Sequence, residues 1–63
     1  MCLSNVYRNE ATAENLLASD VAAIEADGTH VTLTDLFGRR LTVEGTLQRA
    51  DLTGGTVVLR VES

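Results

Sequence analysis

The chain has no proline and no lysine, one cysteine, one histidine and only two aromatic residues, Tyr7 and Phe37. Each shortage removes a class of explanation. A single thiol cannot close an internal disulfide. For a chain of 63 residues, which buries only roughly 60% of its unfolded surface on folding, oligomerisation or a metal then remains as the usual support. Without lysine, five arginines face nine Asp and Glu residues, for a net charge of −4, and such a chain repels phosphate backbones. Arg39-Arg40 is the one basic pair, short of a nucleic-acid footprint. Two aromatics do not build a base-stacking platform. No nucleic-acid partner is therefore expected. There is no basic leader with an apolar stretch and cleavage site, and no apolar run long enough to span a bilayer, so neither a signal peptide nor a membrane partner is expected. A free thiol in an unexported chain fits the reducing cytoplasm. With no proline-rich or low-complexity linker and no internal repeat, residues 1–63 read as a single small domain.

What is present is mostly strand signal. "CLSNVYR", Cys2 to Arg8, carries β-branched and aromatic residues that favour a strand, one that would tether the terminus. "GTHVTLTDL" alternates, with Val31 and Leu33 on one face. "RLTVEG" alternates with Leu41 and Val43 inward. "TLQRADL" is a weaker strand, and "TVVLRVE" places Val57, Leu59 and Val61 on one face. Asp27-Gly28 and Gly54-Gly55 are hairpin signals. "NEATAENLLASDVAAIEAD" is ambiguous. Leu17, Val21 and Ile24 recur at i, i+4, i+7, and with the alanines and a cap at Thr12 or Asn9 this leans to helix. The alternative reading puts Ala22, Ile24 and Ala26 on one face of a strand. About six short strands in so short a chain predict an all-β fold, a small antiparallel barrel, because closure removes exposed edges. Its predicted interior is Val31, Leu33, Leu41, Val43, Val57 and Leu59.

Cys2 is the residue with the most chemistry. A thiolate is a soft ligand suited to Ni, Cu and Zn. The sulfur and backbone nitrogen of Cys2 close a five-membered chelate ring. If Met1 is removed, that nitrogen is a terminal amine. If Met1 stays, the nitrogen is an amide that must deprotonate, and the Met1 amine adds a further donor. Nitrogen and sulfur in a plane suit Ni(II), and two chains about a two-fold axis would complete the donor set. The plainer reading of Cys2 taken alone is a small apolar filler, since free cysteine is often buried. His30, after a turn, is expected to be exposed, and no ligand stands beside it at a metal spacing. "TDLFGRR" reads as a strand end and turn, with Leu36 or Phe37 anchoring the core.

Four stretches, "MCLSNVY", "DVAAIEADGTHVTLTDLFG", "EGTLQRADL" and the closing apolar strand, occur in order over almost the whole chain. In these the sequence resembles the CooT family of small nickel-binding proteins. The resemblance implies a homodimer of SH3-like β-barrels with one Ni(II) per dimer, held at the interface by Cys2 of both chains, with a nitrogen donor at Cys2 or Met1. It implies a nickel carrier or metallochaperone for a nickel enzyme such as carbon monoxide dehydrogenase, with that enzyme's maturation machinery as partner. It also makes residues 20–27 a strand and leaves at most a helical turn near Glu14 to Ala18. The competing reading is an RNA- or protein-binding module in which Cys2 is incidental and Arg39 and Arg40 make the contacts. An enzyme is not expected, because the one candidate nucleophile is the proposed ligand itself.

Overall fold

The computed structural model describes residues 3–62. They form six strands and one short turn of 3₁₀ helix. The strands are β1 (Ser4–Arg8), β2 (Leu16–Asp27), β3 (His30–Asp35), β4 (Arg40–Glu44), β5 (Thr46–Asp51) and β6 (Thr56–Arg60), and the 3₁₀ turn is Ala13–Asn15. All six belong to one sheet, in the order β4-β3-β2-β1-β6-β5. The fold class is all-β, as expected, but the expected antiparallel barrel, closed or nearly closed, is corrected in two respects. β1 pairs with β6 in parallel. The two edge strands, β4 and β5, share no ladder among the described residues, so the sheet is curled but open. The reason lies at Gly45, the one residue between β4 and β5. It is too short a link for a hairpin, and it turns the chain sharply across the end of β6. A Cβ there would stand 2.5 Å from the Arg60 carbonyl oxygen.

The helix-like spacing of Leu17, Val21 and Ile24 is produced by a strand. β2 spans Leu16–Asp27, longer than the expected 20–27, and the helical turn lies at Ala13–Asn15, upstream of most of the expected span. The first half of β2 pairs with β1 and the second with β3. Its register slips at three places. Val6 faces Ala18, Ser4 faces Val21 and Leu33 faces Ile24. Each slip inserts an extra residue into the strand's period of two, so the inward positions recur about every three residues. One extra residue lies in the stretch containing Asp20, whose φ is 54°. Bulges bend a strand, and here they let a single strand serve both halves of the curled sheet.

The core consists of Val6, Val21, Val31, Leu33, Val57 and Leu59, with Leu17, Ala18, Val43 and Val61 packed against it. Five of the six predicted interior residues are therefore inside or packed against the core. Leu41 is the exception. It lies opposite Leu33 in register, on the core face, but on an edge strand of an open sheet, and it stays 41% exposed. Leu47, opposite Leu59 on the other edge strand, is likewise exposed. Val6 and Val21 were not among the predicted interior, because neither "SNVYR" nor the bulged β2 alternates cleanly.

Beyond Arg8 the chain is held by Asn9, which adopts φ 67°. Its side-chain Nδ2 donates to the Val61 carbonyl at 3.1 Å, and its Oδ1 accepts from the Val61 N–H at 2.9 Å. Asn9 is thus no helix cap. Thr12 occupies the capping position without making a side-chain cap bond.

Candidate functional site

The expected metal donors, Met1 and Cys2, lie outside the described residues. What the structure does give is the frame from which the chain runs toward them. β1 is an interior strand, paired on one side with β2 and on the other with β6. Its first residue, Ser4, is buried and faces Val21. The Asn5 N–H donates to the Gly55 carbonyl at 2.8 Å. The Leu3 carbonyl lies 3.0 Å from where a Cβ on Gly55 would be, and Gly55 has φ 68°. The start of β1 is therefore fixed between the Asp20–Val21 bulge and the turn before β6, in a strand that cannot fray without opening two ladders. That suits an N-terminal site better than a free tail would.

His30 is exposed, as expected. Its Nε2 stands 4.0 Å from Glu44 Oε1, its cross-strand neighbour, and both side chains are largely in solvent. Among the described residues, no three His, Cys, Asp or Glu side chains come together as a metal site.

The Asp35–Arg40 connection differs from its expected form. Neither Leu36 nor Phe37 anchors the core; they are 53% and 73% exposed. The turn is held instead by Asp35, whose side chain is only 11% exposed. Asp35 Oδ1 accepts from the N–H groups of Phe37 and Arg39, both at 2.9 Å, and Oδ2 accepts from Arg39 Nε at 2.6 Å. Desolvation alone would raise the pKa of this carboxyl. The hydrogen bonds from Arg39 and Phe37, with the Arg39 charge, outweigh that effect and hold it below its ordinary 3.8. The Leu36 N–H donates to the Asp20 carbonyl at 2.9 Å, which ties the turn to the β2 bulge. Arg39 stacks over Phe37, with its guanidinium carbon 5.4 Å from the ring centroid. The sequence reading missed both Asp35 and Asn9 as organisers. The available signals were an Asp three residues before the glycine of "DLFG", the pattern of a side chain closing its own turn, and an Asn placed to tolerate a positive φ.

No helix among the described residues is long and apolar enough to cross a membrane. Comparison with known proteins gives a family match over nearly the whole chain. The model of the family described as CO dehydrogenase accessory protein CooT matches residues 1–60. No curated protein matches. Among solved structures, the crystal structure of a candidate CooT from Carboxydothermus hydrogenoformans superposes with a TM-score of 0.83 at 19% identity, covering 98% of this chain and 100% of that one. At that identity the likeness speaks for the fold.

Proposed function

The chain belongs to the CooT family of CO dehydrogenase accessory proteins, and from that premise we propose that it is a cytoplasmic nickel carrier. In this reading two copies form a homodimer and bind one Ni(II) through Cys2 of both chains. The ion is cargo, buffered or delivered to a nickel enzyme such as CO dehydrogenase. Accessory work of this kind needs no catalysis by the chain itself.

The observation that supports this reading best is the double pairing of β1. A donor set made by two chain ends needs each end to leave its sheet at a fixed place, and the start of β1 is held on one side by Ser4 against Val21 and on the other by Asn5 against Thr56. A two-fold axis brings any residue near it close to its own copy, so two thiolates and two nearby nitrogens can meet where neither chain alone has enough donors. Association has its own motive. Ile24, Leu41 and Leu47 lie in register with buried core residues but remain exposed, so one copy leaves part of its core face uncovered. A second copy would remove that surface from water, at about 25 cal/mol per Å² of apolar area.

A thiolate must form before the metal binds, so affinity falls with pH and binding releases protons. Titration calorimetry with the near-UV sulfur-to-nickel absorption tests the donor. Cys2→Ser replaces a soft ligand with a poorly ionised hydroxyl and is expected to abolish tight binding while leaving the fold intact. His30→Ala is expected to bind as wild type does. Undiminished nickel binding by Cys2→Ser would place the site elsewhere.

A further inference from the structure

The turn at the top of β3 and β4 stands out from the rest of the surface in three ways. It carries the most exposed aromatic side chain, Phe37, beside exposed Leu36. It is locked by three bonds to the Asp35 carboxylate and by the Leu36–Asp20 backbone bond. Its charge also opposes that of the chain. One carboxylate and two guanidinium groups leave the turn at +1, so the remaining eight carboxylates and three arginines carry −5.

Phe37, largely in water and stacked only by Arg39, gains little for the fold. Protein interfaces draw most of their affinity from a few aromatic and arginine side chains, and a turn already fixed in shape loses little further freedom on binding. Asp35 fixes this shape because its two oxygens accept from the Phe37 and Arg39 N–H groups and from the Arg39 side chain. Arg39 spends its charge on Asp35, whereas Arg40, the first residue of β4, makes no ion pair among the described residues. The complementary surface is therefore an apolar pocket for Phe37 with carboxylates at its rim for Arg40.

We propose that the Asp35–Arg40 turn is the surface by which the chain docks on the enzyme it serves, with Phe37 entering an acid-rimmed apolar pocket of nickel-free CO dehydrogenase. The proposal rests on the nickel-carrier reading above and adds to it the contact through which the cargo is presented. A second copy of this chain is a poorer occupant: the recess it offers beside this turn, lined by Leu17, Val21, Leu33 and Leu41, is rimmed by Arg39, Arg40 and Asp35, whose carboxylate Arg39 already holds, so it has no free carboxylate for Arg40. A nucleic acid is disfavoured by the −5 that surrounds the turn.

The test is binding of this chain to immobilised, purified, nickel-free CO dehydrogenase at low and high salt. Wild type is expected to bind, more weakly as salt rises. Phe37→Ala and Arg40→Glu are each expected to weaken binding by roughly tenfold or more, the size typical of a central interface residue. Asp35→Asn, which loosens the turn while keeping Phe37 and Arg40, is expected to weaken binding to a lesser extent. Leu52→Ala, an exposed leucine outside the turn, is expected to bind as wild type does. All four variants are expected to keep wild-type nickel affinity. Wild-type binding by both Phe37→Ala and Arg40→Glu overturns the proposal and leaves the carrier reading standing. Failure of the wild type to bind the enzyme overturns the proposal and this choice of client together. If Phe37→Ala or Arg40→Glu instead changes the sedimentation of the chain alone, the turn belongs to the contact between copies and the proposal is wrong. Retention of a short RNA by wild type, lost in Arg40→Glu, overturns it in favour of nucleic acid.

Discussion

Gly55→Ala probes the place where the fold and the proposed metal site meet. Gly55 has φ 68°, and its carbonyl accepts the Asn5 N–H at the start of β1. Two costs arise on substitution. Holding alanine in the left-handed region costs roughly 1–2 kcal/mol, offset by about 0.4–1 kcal/mol because alanine restricts the unfolded chain. The new Cβ would also stand 3.0 Å from the Leu3 carbonyl oxygen. That neighbour is backbone immediately before the doubly paired β1, so it has little room to move away, and crowding of this kind adds about 1 kcal/mol or more. The expected loss is about 1–3 kcal/mol. Gly28→Ala is the control. Its φ is 62°, and nothing lies within 4 Å of its would-be Cβ, so it carries the conformational cost alone. In a domain this small, 1 kcal/mol moves the midpoint by roughly 4–8 °C, which separates the two variants. Thermal and urea unfolding, run at one protein concentration with chelator because association and metal shift apparent stability, read the difference. Nickel affinity should also fall in Gly55→Ala and not in Gly28→Ala, since only the former displaces the residue next to Cys2. A Gly55→Ala variant as stable as Gly28→Ala would refute the argument from Leu3.

Leu33→Ala, in the centre of the core, is expected to cost about 2–5 kcal/mol, while Leu41→Ala, in register with it but on the open edge, costs about 1 kcal/mol or less; equilibrium denaturation of the pair checks this. Asn9→Ala removes both bonds to Val61 and the residue best suited to φ 67°, for about 1–3 kcal/mol. Asn9→Gly, which keeps the backbone freedom, should fall between it and wild type, with amide exchange at Val61 as the local readout. The Asp35 carboxyl has a folded pKa below its ordinary 3.8, so its contribution is complete above the unfolded value and is lost as pH falls through the folded one. The stability gap between wild type and Asp35→Asn should therefore narrow on acidification below about pH 4, with loss of amide protection at Phe37 and Arg39. A gap that stays constant to pH 2 would contradict this role for Asp35.

The sequence made β3, β4 and β6 legible because their core residues alternate, even though Val58 of β6 is buried as well. Val31, Leu33, Val57 and Leu59 follow the period of two, and each is buried. β2 was obscured by its own bulges, which spread Ala18, Val21 and Ile24 at near-helical intervals, and only the family resemblance pointed to a strand. The open edge between β4 and β5 was not readable, because Leu41 alternates as well as Leu33 does. Its exposure follows from sheet order, a property of pairings distant in sequence. At the proposed site, residue type and position single out Cys2, which lies outside the described residues. The anchoring of β1 was not legible, since it depends on partners at Val21, Gly55 and Thr56. Phe37 was misjudged because apolar character alone does not tell a core anchor from an exposed contact.

The carrier reading stands or falls on whether two chains share one nickel ion through Cys2. Native mass spectrometry of the untagged protein with limiting and then excess Ni(II) tests it most directly. A two-chain species is expected to take up one nickel and no second, to displace protons on doing so, and to remain metal-free as Cys2→Ser. One nickel per single chain, or a two-chain species whose nickel survives Cys2→Ser, would contradict it.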